Sequence, residues 1–570
     1  MQRYLSKPWA ALKCKIPPNG NSPQCILALD EAAELLRSGA ATFTALRRIL
    51  STMSQFNFWT VFLSTNGQIE IVARADTEEP SIRLQMHQLG RPRAYCAFPM
   101  DIHEDRQLRN GEADLRESLK TLATVDHVIG FGRPLWMLCY EQSPKSTRDY
   151  VIMKLLGGVM DCVATKTDHA FALIANRICL QPSMNDKTSY EVAVKSVDLH
   201  LRLLTAVHNH LGTISTTTPS EPIVADAAFH LLGISDNWEK ALTQVINDLF
   251  SHGRIEKGEI GELFSRLLVI LAQDAALTKW FSTPQGGTVQ EAGMYVQSCA
   301  PVSAFSFLSE LLGGAELERA IDFASRNSKP PTTATDMAPR RGTTEPPDFK
   351  KYLTKCYTNF NHITQTTESL QPETSAQLMS SLIRRHAALQ LAPNQPHWDL
   401  LIPMYHAQVV SDPYSPENAS PILIQVKNRK GEKPAFMSNR QRLLFRNKQN
   451  HYVHIHLELG KSDRSLTAHI NKGPDGSHTL VITVKGHTIF PPLKNLNITS
   501  VAARLLRTTE IQKTKEEFIL ERIRAFNITS HLLPNPIWQN VKKPLPVSAS
   551  APDVQTKQST EDDDVEMINA

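Results

Sequence analysis

Two short apolar runs, Leu400 to Tyr405 and Ile422 to Val426, flank a Pro/Asp/Ser/Asn-rich stretch from Ser411 to Ser420. This pattern specifies a strand, loop, strand unit more firmly than anything else in the chain. Side chains alternate faces along a strand, so Gln425 and Lys427 fall on one face while Ile424 and Val426 point to the other, into a core. A carboxamide and an ammonium then stand side by side at a strand end, with Asp399 at the start of the neighbouring strand.

An Asp on one strand followed by Gln-x-Lys on the next resembles the PD-(D/E)XK restriction-endonuclease-like nucleases, in the variant where glutamine replaces the second acid. The resemblance implies that Asp399 and the Gln425 side chain bind Mg²⁺, with the Val426 main-chain carbonyl, since hard oxygen ligands suit this small cation. It implies that Lys427 places and activates the attacking water and offsets charge growing on the phosphate, the metal acting as Lewis acid. Glutamine in place of glutamate removes one negative charge from the metal site.

These nucleases also carry a glutamate on the helix that precedes the core sheet. The stretch Gly258 to Asp274 offers one, because Leu263, Leu267, Ile270 and Leu271 form an apolar stripe at helical spacing and Glu262 lies beside its first turn. The competing reading of Glu262 is a helix-surface ion pair with Arg266 at i, i+4.

A length of 570 residues predicts two to four domains, and 41% apolar with 21% charged residues is ordinary for globular protein. No apolar run approaches the roughly 18 residues of a membrane span, so no membrane partner is expected. The eight cysteines form no Cys-x-x-Cys pair and read as reduced core residues, which points to the nucleus or cytoplasm. A net charge of +4 is too small to argue nucleic-acid binding, so the distribution of charge has to decide.

Near the N-terminus, an apolar run ending in Asp30 and Glu31 is followed by a helical stretch from Ala32 to Met53 and a second apolar run, Phe58 to Leu63, ending in polar residues. This strand, helix, strand unit resembles the Walker B and sensor strands of a P-loop NTPase. The likeness implies Asp30 toward Mg²⁺, Glu31 orienting water, and Thr65 or Asn66 near a γ-phosphate. The chain contains no Gly-x-x-x-x-Gly-Lys-Ser/Thr, so the loop that cradles phosphates is missing and ATP hydrolysis by this chain alone is not expected. Asp30 could equally N-cap the helix beginning at Glu31.

From Asp126 to about Ile255 the pattern is of helix-length segments, including Val192 to His208, separated by turn residues and without a catalytic constellation. The order of NTPase-like unit, Gly132-Arg-Pro-Leu-Trp136, helical region, Glu262 helix, Trp398-Asp-Leu-Leu-Ile-Pro and Ile424-Gln-Val-Lys-Asn resembles a fungal family common in mushroom-forming species. That family is similar to the ATPase-plus-nuclease architecture of Crinkler and retrotransposon-hot-spot proteins. The likeness spans roughly residues 20 to 490 and implies an endonuclease associated with mobile elements or genome conflict.

Residues 327–347 are rich in Pro and Thr and are expected to form a linker. Between Asn428 and Asn450 the chain carries Arg429, Lys430, Lys433, Arg440, Arg442, Arg446 and Lys448 against a single acid, Glu432. A basic run beside a metal site is where a phosphodiester substrate would lie, each contact adding salt-sensitive affinity without sequence preference. Strands are expected over His451 to Leu459, where His454 and His456 share a face, and over Leu480 to Lys485. An acidic tail ends the chain.

The expectation is therefore a multidomain α/β protein: a partial P-loop NTPase-like unit over 1–125, an α-helical middle over 126–255, a restriction-endonuclease-like α/β domain over 256–540, and a tail over 541–570. The expected activity is Mg²⁺-dependent cleavage of DNA. The rivals are a catalytically decayed DNA-binding or scaffold protein, and an NTPase-regulated effector whose P-loop comes from a longer product or a partner.

Overall fold

The structure, a computed structural model, describes residues 25–29, 45–46, 49–50, 58–63, 96, 100–104, 117–183, 187–208, 213–252, 260–282, 296–328, 347–366, 375–392, 398–427, 451–460, 464–472, 477–487 and 489–507. The chain divides into two units, 1–94 with 207–213, and 95–206 with 214–570. In the first, β1 (Cys25–Leu29) and β2 (Phe58–Phe62) pair in parallel, Cys25 opposite Phe58 and Leu29 opposite Phe62. A parallel pair needs a crossover rather than a tight turn, which suits the long connection between these strands.

The strands β3 (Leu203–His208) and β4 (Thr213–Thr217) pair with each other and interrupt a region otherwise made of helices. The helix expected to run from Val192 to His208 ends at Leu199, and Leu201 adopts a left-handed φ of 62° before the chain becomes extended. A branched side chain is strained there, so the break is enforced by tertiary structure and not by local propensity.

The second unit is built on a nine-stranded mixed sheet. Its strands are β5 (Val302–Ser303), β6 (Cys356–Thr358), β7 (His362–Gln365), β8 (Ala387–Gln390), β9 (Leu400–His406), β10 (Ala419–Lys427), β11 (Tyr452–Glu458), β12 (Ser465–Lys472) and β13 (His478–Lys485). The order is β12-β13-β11-β10-β9-β6-β5, with β8 also pairing with β9 and β7 with β8, so the sheet forks at β9. The strands β9 and β10 are antiparallel, as the strand, loop, strand reading requires, while β10, β11 and β13 run parallel.

Alternation divides the two faces. Leu400, Ile402, Ile422, Ile424, Val426, Val453 and Ile455 point into the main core, and Leu389, Leu401 and Leu423 point into a smaller cluster with Leu378 and Leu382 of the Ser375–Arg384 helix. The main core is shared with the helical region. It takes Phe171 and Ile174 from the Thr167–Ile178 helix, Val224 and Ala228 from Pro222–Leu232, and Leu263, Phe264, Leu267, Leu268 and Ile270 from Ile260–Ser282. The Ile260–Ser282 helix is apolar well beyond a single stripe because it is covered on more than one flank. One apolar cluster thus crosses the expected boundary at residue 255/256.

Charged side chains tie the same pieces together. Arg177 donates from Nε to the Asn361 carbonyl at 2.7 Å and from Nη2 to Asp274 at 2.6 Å, with its guanidinium over the Phe229 ring. Arg385 pairs with Asp101, and Arg384 with both Glu104 and Glu117. His386 is sealed beside them, its ring nitrogens facing the Leu122 carbonyl at 2.8 Å and the Asn359 carbonyl at 3.1 Å.

Burial pushes the His386 pKa down to about 4 and that of His127 to about 3, the latter helped by the neighbouring His386 and Arg384. Both rings are neutral when folded but take up protons at about pH 6.5 when unfolded. Their contribution is complete above about pH 6.5 and is lost as pH falls toward the folded-state values, by up to about 1.4 kcal/mol per group per pH unit. The urea midpoint is therefore expected to drop steadily between pH 6.5 and 4.5; a flat profile would remove these histidines from the stability balance.

Among the described residues no helix is long and apolar enough to cross a membrane, and Cys139, Cys162, Cys179, Cys299 and Cys356 stand outside any disulfide.

Candidate active site

The end of the sheet where β9 begins and β10 stops gathers the polar residues. The last paired positions are Leu400 and Ile424, so Asp399 comes to stand across from Gln425. The backbone closes the arrangement: the Asp399 N–H donates to the Ile424 carbonyl at 2.9 Å, and the Asp399 carboxylate accepts the Val426 N–H at 2.6 Å. The carboxylate is thereby fixed against the peptide that links Gln425 to Lys427. Val426 meets this site through its N–H, with its side chain in the core on the far side.

On the other flank, Gln425 pairs with His456 and Lys427 with Glu458 in parallel register. Residues paired in this way project to the same face, so Asp399, Gln425 and His456 form one row and Lys427 and Glu458 the next. The Gln425 carbonyl oxygen lies 3.0 Å from His456 Nδ1. Burial, with His469 nearby, pushes the His456 pKa down to about 4, so at neutral pH the ring is uncharged and its Nδ1–H tautomer donates to Gln425. Gln425 and His456 are both buried, whereas Asp399 and Lys427 are half-buried.

Glu262 arrives from the opposite side. Its Oε2 accepts from Gln390 Nε2 at 2.8 Å, and Gln390 pairs with Leu400, whose side chain points into the main core. Glu262 therefore reaches the same end of the sheet as Asp399, since the Leu391 N–H donates to the Asp399 carbonyl at 2.9 Å, but on the other face. Arg266 lies within the field of the Glu262 carboxylate, and its Nη1 donates to the Ile178 and Cys179 carbonyls at 2.9 and 3.0 Å, at the C-terminus of the Thr167–Ile178 helix.

Of the four residues expected in catalysis, then, Asp399, Gln425 and Lys427 share one face, and Glu262 does not join them there. Asp30, Glu31, Thr65 and Asn66, and the basic residues Arg429, Lys430, Lys433, Arg440, Arg442, Arg446 and Lys448, lie outside the described residues. Glu458 and Gln390 belong to this sheet end without having been picked out in the sequence, and His456 was noted only for sharing a face with His454. The alternation of His454 and His456 was visible, but their row partners depend on the pairing of strands far apart in sequence.

Among the described residues no three His, Cys, Asp or Glu side chains gather so as to hold a metal ion. A cation at this end would lean on amide oxygens as well as on Asp399, and such hard donors match Mg²⁺ or Mn²⁺ in kind. Comparison with protein-family models, with curated proteins and with solved structures returned no match to this chain.

Proposed function

We propose that the second unit is a Mg²⁺-dependent phosphodiesterase acting on DNA, with its site at the β9–β10 end. The observation that carries this reading is the Asp399 carboxylate locked to the Val426 N–H, directly between Gln425 and Lys427. Asp399 and Gln425 would hold the cation, which, when bound, supplies Lewis-acid polarisation of the scissile phosphate. The work of the chain's own groups is positional and electrostatic. Hydrogen bonds from the backbone keep the Asp399 carboxylate oriented, and His456 keeps the Gln425 amide from turning. Lys427 would orient the attacking water and take up the negative charge developing on phosphate. The basic run from Arg429 to Lys448 follows Lys427 closely in sequence and would add affinity for the backbone of either strand.

The test is nicking of supercoiled plasmid DNA. With Mg²⁺ the parent protein is expected to convert it to open circles, and with a chelator it is not; Asp399→Asn should lose the Mg²⁺-dependent rate while keeping the parent melting temperature. Equal rates for parent and Asp399→Asn would end the proposal.

One observation favours a second reading. The Gln425 carbonyl is already engaged by His456, and an amide brings no charge to a cation. A decayed member that binds DNA without cutting it would give a salt-dependent gel shift and no nicking by the parent.

A further inference from the structure

Three polar residues that the proposed nuclease site does not use form a chain of hydrogen bonds at the other end of β7. Ser220 lies between β4 and the Pro222–Leu232 helix, and His362 begins β7 with Asn361 just before it. Ser220 Oγ is 2.7 Å from His362 Nε2, and His362 Nδ1 is 2.7 Å from Asn361 Oδ1.

The neighbours of Asn361 fix the protons. Its Nδ2 is 2.9 Å from the Pro222 carbonyl, which can only accept, and 2.9 Å from Ser298 Oγ, whose own hydrogen goes to Asp226 Oδ1 at 2.7 Å. The amide is thereby locked with its oxygen toward His362. Nδ1 must carry the ring proton, and Nε2 is left bare to accept the Ser220 hydroxyl hydrogen. Nucleophile, base and orienting group follow one another as acyl transfer by serine requires.

The backbone carrying Ser220 is held from two sides. The Gly132-Arg-Pro-Leu-Trp136 stretch grips the next residue: the Arg133 N–H and Trp136 Nε1 both donate to Glu221 Oε1 at 2.8 Å. Gly132 takes a φ of 88°, and a Cβ there would collide with the Glu221 side chain, so glycine is needed for this approach. Arg385 Nη1 donates to the Ser220 carbonyl at 2.8 Å, and its other arm pairs with Asp101, which accepts the Gly132 N–H at 2.7 Å. Ser220 is half-buried while His362 and Asn361 are buried, so of the three it is the hydroxyl residue that solvent reaches.

We infer that Ser220 is the nucleophile of a second site, one that cleaves carboxylic esters, with His362 as general base and Asn361 as its positioning residue. As Ser220 Oγ bonds to the ester carbonyl carbon, its proton passes to His362 Nε2. The bond to the alcohol oxygen then breaks, and Nε2 returns the proton to that oxygen. Water attacks the acyl-serine by the same route and releases the acid, with no change of oxidation state. The Arg385 guanidinium and the N-terminus of the 11-residue Pro222–Leu232 helix supply positive potential for the oxyanion. Burial, with Arg385, His386 and Arg177 nearby, holds the His362 pKa well below the usual imidazole range, so the ring stays neutral into acid. The same surroundings oppose the imidazolium, so turnover is slow and covalent labelling is the sharper probe.

The full chain is treated with a fluorophosphonate in the presence of a chelator, and the modified residue is located by peptide mass spectrometry. Label is expected on Ser220, and His362→Gln should slow it by about 10²-fold. Between pH 5 and 8 the rate should change by less than about threefold, because the base is never protonated; a rate that climbs about tenfold per pH unit means hydroxide chemistry and removes His362 from its role. Ser220→Ala should bring hydrolysis of p-nitrophenyl acetate down to the spontaneous rate. No label on Ser220, or an unchanged ester rate in Ser220→Ala, overturns the site, since a merely structural Ser220–His362 contact predicts both. Labelling of the parent and its pH profile need no variant, so they decide even if His362→Gln or Ser220→Ala does not fold. No divalent cation enters any of these readouts, which keeps their outcome separate from that of the nicking assay.

Discussion

Lys427→Ala is expected to lower Mg²⁺-dependent nicking by about 10²–10⁴-fold, the usual cost of losing a positioned proton-transfer or charge-stabilising group. Lys427 ends β10, and its main-chain carbonyl accepts the Leu459 N–H at 2.8 Å, so the backbone that carries the ammonium is held independently of the side chain. Its half-buried position makes folding tolerant of the change, and the parent melting temperature should be retained within a few degrees. Lys427→Arg separates two roles. Guanidinium keeps the charge but does not give up a proton in this range, so a rate restored by arginine means charge stabilisation, and a rate left low means proton transfer. Unchanged nicking in Lys427→Ala would take this side chain out of the mechanism.

The second large effect is on stability. Arg177 is fully buried, and replacing it with leucine strands the Asp274 carboxylate, whose pKa burial already pushes up despite the attraction of Arg177. Removal of one partner from such a pair costs about 3–5 kcal/mol, which for a domain of this kind is a large share of the total. Removing both is less damaging, because the desolvation penalty of the carboxylate goes too. Urea unfolding should therefore place Arg177→Leu well below Arg177→Leu/Asp274→Leu. A single variant within about 1 kcal/mol of the parent would show that the pair is a bystander to packing.

How much of this was legible in the sequence depended on the reach of each signal. The strands β9, β10 and β13 were visible because a strand covered on both faces leaves a nearly unbroken apolar stretch, and β11 because Val453, Ile455 and Leu457 alternate with His454 and His456. The edge strand β12, Ser-Leu-Thr-Ala-His-Ile-Asn-Lys, is partly exposed along most of its length and carries no such run. The strand β3 was hidden inside a helical reading, because Leu201, Leu203 and Leu204 continue the apolar spacing of the Lys187–Leu199 helix past its real end. For the site, Asp399, Gln425 and Lys427 could be placed because two of them share a strand and the third opens its neighbour. The side of the sheet taken by Glu262 could not be foreseen, since it follows from how a helix packs across the whole unit. Nor could the facing of Lys427 and Glu458, which requires the register of a parallel pair joined by a long crossover.

The apolar cluster running from Ala123 to Leu505 limits which truncations of the chain can fold. A gene rearrangement that kept the sheet and discarded the helices before residue 255 would leave Leu263, Phe264, Leu267 and Leu268 facing water along one helix, a sticky product rather than a smaller protein. The helices before residue 255 and the sheet after it thus stand or fall together as a single folding unit.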